Sequence, residues 1–128
     1  MRKMVLSILI DNTPGALSRV VGLFSRRGYN IDSLTVGETE NTAVSRLTVA
    51  VTGDGIILDQ IEKQICKLEN VILVKELTGD ASVCRELILV KVAASREERP
   101  SINAIVEIFR AKIVDVASDS MMIELTGN

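Results

Sequence analysis

The chain has 128 residues, a formal net charge of −2 and an apolar fraction of 47%. This length allows one ordinary domain or two very small ones, with enough apolar residues for a core. Acidic and basic residues are interspersed, which argues against binding of nucleic acid or a membrane surface through bulk charge. Histidine, the commonest general base and metal ligand, is absent, so catalysis is less expected. Cys66 and Cys84 fit no metal-binding spacing, and we expect reduced thiols in a cytoplasmic protein.

The first predicted elements are a strand and a helix. Residues 4–10 form a β-rich apolar run that ends at a turn signal, which predicts the first strand. A helix is predicted next, because apolar residues recur at i, i+3, i+4 and i+7: Leu17, Val20, Val21 and Phe24. Gly28 is placed to end this helix.

Four more elements complete a first unit. Residues 30–36 predict a second strand, and residues 37–42 predict a polar hairpin connection. The alternation of apolar with other residues around residues 47–51 predicts a third strand with one solvent-exposed face. A second helix carries an apolar stripe formed by Leu58, Ile61, Ile65 and Leu68. Residues 71–77 predict a fourth strand. The order β-α-β-β-α-β over about 77 residues predicts an α+β, ferredoxin-like fold with two helices on one face of a four-stranded antiparallel sheet.

The pattern then begins again after a linker at residues 78–82. A fifth strand is predicted at residues 87–92, and Pro100 is well placed at the start of a helix. The helical stripe is formed by Ile102, Ile105, Val106 and Phe109, and two strands follow at residues 113–116 and 121–125.

We therefore predict two domains, residues 1–78 and residues 84–128, of which the second is an incomplete β-α-β-β unit. A unit without a closing helix and strand leaves a sheet edge and an apolar face uncovered. Either the chain has been shortened or another chain completes this unit, and we favour a shortened chain.

The loop between the first strand and the first helix is the candidate site. Thr13 is a good N-cap residue and Pro14 is favoured at the first helical position, so capping explains this pair without a ligand. Capping does not explain Gly15, because glycine in a helix interior costs about 1 kcal/mol relative to alanine. Either the turn needs the backbone freedom of glycine, or a ligand approaches the backbone closely.

Long runs of the sequence resemble one known family. The runs are DNTPGALSRVVGLFSRRGYNIDSLTVGETE, SRLTV, LDQIEKQICKLENVILVKEL, RELILVKV, EIFRAKIVDVASDS and IELTG. They resemble the small regulatory subunits of acetohydroxyacid synthase, also called acetolactate synthase, whose first unit is an ACT domain. The resemblance covers essentially the whole chain, although members of the family usually continue for a further helix and strand.

This resemblance implies a function without catalysis by the chain itself. Small subunits of the family bind and activate a catalytic (large) subunit that carries thiamine diphosphate, Mg and FAD; the small subunit itself holds no cofactor. They confer feedback inhibition by valine, leucine or isoleucine in branched-chain amino-acid biosynthesis. The effector binds between two ACT domains of a homodimer.

The family's effector residues can be placed on this chain. The matching positions are Asn12, Gly15, Ala16 and Leu17 in the first loop, with Asn30 and Ile31 from the neighbouring protomer. The N–H groups of a helix N-terminus suit an amino-acid carboxylate, and side-chain carbonyls of the two asparagines suit its ammonium. The apolar members of the set would form a wall for a branched side chain.

Other functions share this topology. A stand-alone ACT-type sensor would control another enzyme or transcription, but no helix-turn-helix segment with basic residues is evident. An RNA-recognition module needs exposed aromatic residues on its sheet, and the first and third strands carry none. The phosphate cradle and the catalytic Arg–Asn arrangement of acylphosphatase-like enzymes are not recognisable.

Overall fold

The secondary structure follows the predicted order through both units. The computed structural model describes residues 2–127, and the chain divides into two units after residue 82. The elements of the first unit are β1 (Arg2–Asp11), α1 (Ala16–Arg26), β2 (Ile31–Glu38), β3 (Val44–Gly53), α2 (Gly55–Cys66) and β4 (Val71–Glu76). Those of the second unit are β5 (Glu86–Ala93), α3 (Arg99–Ile108), β6 (Lys112–Val116) and β7 (Ser120–Gly127). The predicted α+β class, with a complete and an incomplete ferredoxin-like unit, is confirmed.

In the first unit, β1 lies in the middle of an antiparallel sheet with the order β2-β3-β1-β4. Successive side chains of a strand point to opposite faces, and every second residue of β1 from Met4 onwards is buried: Met4, Leu6, Ile8 and Ile10. The same alternation buries Leu47, Val49 and Val51 of β3. One face of the sheet therefore forms the floor of the core.

The two helices cover that face. Their buried residues are Ala16, Val20, Leu23 and Phe24 from α1 and Leu58, Ile61 and Ile65 from α2, all of which belong to one core cluster with the strand residues. The helix α2 is capped by Asp54, whose carboxylate accepts a hydrogen bond of 2.9 Å from the N–H of Ile57.

The helix α1 ends as predicted near Gly28, which adopts a left-handed φ of 70° just after the C-cap residue Arg27. The N–H of Gly28 donates to the carbonyl of Ser25 at 3.2 Å, and the N–H of Tyr29 donates to that of Phe24 at 2.9 Å. These two bonds form a Schellman motif.

The second unit has a smaller core. Its sheet has the order β5-β7-β6, and its buried apolar side chains are Ala94, Val106 and Met121. On the face that carries Val92 and Met121, Ile88 and Val90 of β5 are 48% and 42% exposed. The single helix α3 thus covers only part of the apolar face, as expected for a β-α-β-β unit.

The end of α3 differs from the sequence-based expectation. Phe109 was placed in the apolar stripe of the helix, but it is the C-cap residue and is 65% exposed. The chain leaves the helix here because Arg110 has a φ of 55°. The N–H of Arg110 donates to the backbone carbonyl of Glu107 at 3.2 Å, and the N–H of Ala111 donates to that of Val106 at 2.9 Å. The Schellman motif of α1 is therefore repeated, with arginine in the position that glycine favours.

We expect Arg110→Gly to raise the free energy of unfolding of the chain by about 0.5–1 kcal/mol. A left-handed conformation costs a residue with a Cβ roughly 1–2 kcal/mol, and the extra freedom of glycine in the unfolded chain offsets about 0.4–1 kcal/mol of that gain. Denaturant unfolding measures the difference. Arg110→Ala is the control, because it removes the side chain and keeps the strain; an equal gain from alanine would contradict the explanation.

Candidate functional site

The loop after β1 is held from both sides. The N–H of Asp11 donates to the carbonyl of Asn70, which precedes β4, at 3.0 Å. The N–H of Asn12 donates to the carbonyl of Ala43, in the hairpin between β2 and β3, at 2.8 Å. These two bonds fix the point at which the chain leaves the sheet and turns towards α1.

The start of α1 differs from the predicted one. Gly15 is the N-cap residue, its carbonyl accepts the first helical bond from the N–H of Arg19 at 3.1 Å, and no side chain caps the helix. The predicted N-cap role of Thr13 and first helical position of Pro14 are therefore wrong. Thr13 lies too early, because residues 13–15 form a turn in which its carbonyl accepts from the N–H of Ala16 at 3.2 Å.

The conformation of Gly15 explains why glycine occupies this position. Its φ is +86°, in the left-handed region that disfavours side chains. A Cβ built here would meet nothing within 4 Å, so crowding within the chain is not the reason. The turn by itself requires glycine, and the residue type is no independent sign of a ligand.

The same turn leaves donors at the helix N-terminus. The N–H groups of Leu17 and Ser18 belong to the first turn, where an α-helix offers no intrahelical acceptor, and no side chain among residues 2–127 caps them. The positive end of the helix dipole lies at the same place. This arrangement suits a carboxylate.

Asn12 lies in the loop before this helix, and its side chain is bound on one side. Its amide nitrogen donates to the carbonyl of Thr42 at 2.9 Å and to a carboxylate oxygen of Glu38 at 3.4 Å. An amide nitrogen has two donors, and both are used here. The side chain therefore offers its carbonyl oxygen as the group for another partner, as the predicted contact with an ammonium requires.

The predicted apolar wall is smaller than expected within one chain. Ala16 is 1% exposed and packs in the core cluster, so its side chain does not line the surface of the loop. Leu17 is 38% exposed. Ile31 is half-buried and packs against the core from the first position of β2.

The two groups of predicted residues lie at opposite ends of α1. Residues 12–15 precede this helix of 11 residues, and Asn30 and Ile31 follow it. At 1.5 Å per residue the helix is about 16 Å long, which exceeds the length of one amino acid. Within one chain, the structure does not bring the two groups together.

A shallow depression of about 440 Å³ lies next to the hairpin, on a part of the surface that sequence reasoning did not single out. It is lined by Thr35, Val36, Gly37, Glu38, Thr39, Glu40, Arg46 and Thr48. Glu38 both lines it and contacts Asn12. The bond joins residues 26 positions apart, so no local pattern in the sequence indicates it.

Two further findings concern residues 2–127. No group of three or more His, Cys, Asp or Glu side chains is placed to hold a metal ion within this part of the chain. None of the helices described there is long and apolar enough to cross a membrane.

We expect Gly15→Ala to lower the free energy of unfolding by roughly 1–2 kcal/mol, since alanine must adopt the left-handed conformation. Gly15→Asn should be less harmful, because asparagine tolerates this conformation better. Denaturant unfolding of both variants measures the two losses. Equal losses, or no loss for alanine, would show that the turn does not need the left-handed conformation.

Comparison with known proteins agrees with the family resemblance. Residues 6–73 match the family model of the AHAS small subunit-like ACT domain, and residues 85–128 match that of the small subunit of acetolactate synthase. The probable acetolactate synthase small subunit of Archaeoglobus fulgidus is 50% identical over 126 residues, which cover 98% of this chain and 79% of that protein. The isozyme 3 small subunit of Escherichia coli K12 is 49% identical over 123 residues, 96% of this chain and 76% of that protein.

Solved structures agree as well. The acetolactate synthase small subunit from Thermotoga maritima superposes on this chain with a TM-score of 0.89 at 43% sequence identity. The superposition covers 99% of this chain and 80% of the Thermotoga chain. The ACT domain of GTP pyrophosphokinase from Chlorobium tepidum gives a TM-score of 0.53 at 14% identity, over 61% of this chain and 88% of that one, and shares the fold alone. The chain belongs to the acetolactate synthase small-subunit family, and its first unit is an ACT domain of that family.

Proposed function

We propose that this chain is a regulatory subunit that binds and activates the catalytic subunit of acetolactate synthase and makes it sensitive to valine or a related branched-chain amino acid. The chemistry takes place on the partner, which holds thiamine diphosphate, Mg and FAD, in the cytoplasm. The observation that carries the effector site is the pairing of an uncapped helix N-terminus with Asn12, whose side chain is oriented as an acceptor.

This pairing matches the two charged groups of an amino acid. The carboxylate accepts from the first-turn N–H groups of Leu17 and Ser18, where each charge-assisted hydrogen bond contributes about 1.5–3 kcal/mol. The ammonium donates to the carbonyl oxygen of Asn12. Gly15 leaves open space in front of the helix, and the exposed part of Leu17 contacts the branched side chain.

The rest of the site comes from a second copy of the chain. The separation of the two groups of residues along α1 supports this, because one amino acid cannot span about 16 Å. The outer edge of β2 has no neighbouring strand among residues 2–127, and such an edge is a template for pairing with another chain. Leu34 and Val36 on β2 are 36% and 47% exposed.

A symmetric dimer along β2 would cover these side chains. It would bring Asn30 and Ile31 of one protomer towards the loop at residues 12–17 of the other. A twofold axis generates two equivalent sites from one such contact. The carbonyl of Asn30 and the half-buried side chain of Ile31 then complete the binding of the ammonium and of the branched side chain.

The RNA-binding alternative receives no support from the open face of the sheet. Arg46 and Thr48 of β3 alternate with buried residues and point away from the helices. Ser7 of β1 lies opposite Thr48. None of these residues offers an aromatic surface on which a base can stack.

The experiment that tests the proposal compares Gly15→Asp with Gly15→Asn in the enzyme reconstituted with its catalytic subunit. Both side chains have similar size and tolerate the left-handed conformation, but only aspartate repels the effector carboxylate. We expect both variants to activate the catalytic subunit. The valine concentration for half-maximal inhibition should rise at least about tenfold more with aspartate than with asparagine, because two charges near a surface at 4 Å repel by about 4 kcal/mol.

Asn30→Ala should weaken inhibition in the same direction, since it removes an acceptor for the ammonium. Circular dichroism confirms that each variant is folded. Equal valine sensitivity of the aspartate and asparagine variants would place the effector elsewhere, and failure of the wild-type chain to activate the catalytic subunit would refute the regulatory role.

A further inference from the structure

The hairpin between β2 and β3 holds the side chain of Asn12 in one orientation. Both N–H donors of the amide are directed to this hairpin, one to the carbonyl of Thr42 at 2.9 Å and one to the carboxylate of Glu38 at 3.4 Å. If the amide were turned by 180°, its carbonyl oxygen would face these two acceptors. Two acceptors cannot share a hydrogen bond without a donor, so the turned orientation is disfavoured.

The hairpin has internal hydrogen bonds of its own. The hydroxyl of Thr39 lies 2.9 Å from the carbonyl of Asn41 and 3.0 Å from that of Val44. The side-chain oxygen of Asn41 accepts from the N–H of Ala43 at 3.0 Å. These bonds stabilise the turn that contains Thr42, and the backbone bond from Asn12 to Ala43 joins the turn to the loop.

We propose that Glu38 is a positioning residue of the effector site, which together with the Thr42 carbonyl makes the site select an amino acid over the 2-keto acid with the same side chain. The inference rests on the proposed function and deepens it. The amino acid and the keto acid share a carboxylate and a branched side chain. They differ at one carbon, where the first carries an ammonium, which only donates, and the second a keto oxygen, which only accepts.

An asparagine whose amide nitrogen is bound to Thr42 and Glu38 has its carbonyl oxygen left for a ligand, and this oxygen pairs with an ammonium and opposes a keto oxygen. A site built to hydrogen-bond one group discriminates strongly against an analogue that leaves its polar atoms unpaired. The negative charge of Glu38 close to Asn12 adds to the preference for a cation. Selectivity at this position matters for a feedback regulator, because an amino acid and its keto acid precursor signal different states of a biosynthetic sequence.

The test uses the full chain and two ligands, valine and its 2-keto acid 3-methyl-2-oxobutanoate, with dissociation constants from titration calorimetry. Glu38→Ala removes one of the two acceptors and frees the amide to turn. We expect the affinity for valine to fall about fivefold, as for the loss of one hydrogen bond. The affinity for the keto acid should hold or rise, because the turned amide donates to the keto oxygen.

Two variants serve as controls. Glu38→Gln keeps an acceptor for the Asn12 amide and should restore most of the selectivity. Glu40→Ala removes a carboxylate two positions further along the chain. Glu40 lines the same depression but is not a hydrogen-bond partner of Asn12 within residues 2–127. The affinities for both ligands should therefore stay at the wild-type values. Equal weakening of both ligands by Glu38→Ala, or the same change with Glu40→Ala, would overturn the positioning role.

A measurement without ligand separates this inference from the proposed function. In the ¹⁵N–¹H spectrum of the free chain, the Asn12 side-chain amide protons should exchange with water more slowly in the wild type and in Glu38→Gln than in Glu38→Ala. If Glu38→Ala leaves the exchange rate of the Asn12 side-chain amide protons unchanged, the positioning role is refuted, whether or not the chain binds valine. A protected amide in a chain that binds no valine would instead refute the proposed effector site and leave the orientation of Asn12 standing.

Discussion

The first unit is organised around β1, which lies between β3 and β4 in its sheet. This strand pairs with β3 along its whole length and with β4 over its second half, so both of its edges are used. The alternation of its apolar residues directs one face to the helices. Because β1 is fixed from both sides, its end is fixed as well, and the loop that leads into α1 begins between the segment before β4 and the hairpin of β2 and β3.

The function proposed for this unit depends on the loop between β1 and α1. A left-handed glycine turns the chain into α1 without a capping side chain, which leaves N–H groups for an anion. In the loop before this helix, Asn12 donates its amide N–H groups to Thr42 and Glu38. The length of α1 keeps the second group of residues away from this loop. In the proposed dimer, a second protomer paired along the open edge of β2 would supply the residues that one chain does not bring to this loop.

Much of this fold could be predicted from the sequence, because period-two and helical patterns are local properties of strands and helices with one buried face. The ten elements observed within residues 2–127 were all predicted, in the observed order. The errors lie where the backbone departs from residue preferences. Thr13 and Pro14 suit the start of a helix, yet the left-handed Gly15 is the N-cap residue, so α1 begins two residues later than predicted. The helix α3 ends at Ile108, before Phe109, because Arg110 has a φ of 55°, which arginine rarely adopts.

The candidate site was predictable only in part, for a related reason. Family resemblance indicated the loop, but the burial of Ala16 depends on how α1 is rotated on the sheet. The contacts of Asn12 with Glu38 and Thr42 join residues 26 and 30 positions apart, and only the register of β2 with β3 brings that hairpin to the loop. Long-range hydrogen bonds of this kind have no signature in a local sequence pattern.

Purified heterodimers decide whether each proposed effector site is shared by two protomers. One chain carries Gly15→Asp and its partner carries Asn30→Ala, so that both defects of the pair fall on one site and the other site is intact under a twofold axis. Titration with valine should then give one site of wild-type affinity per heterodimer, although neither homodimer has any. Heterodimers without a wild-type site would show that the loop and Asn30 act within the same chain, and heterodimers with two wild-type sites would show that neither takes part in binding; either result contradicts a shared site.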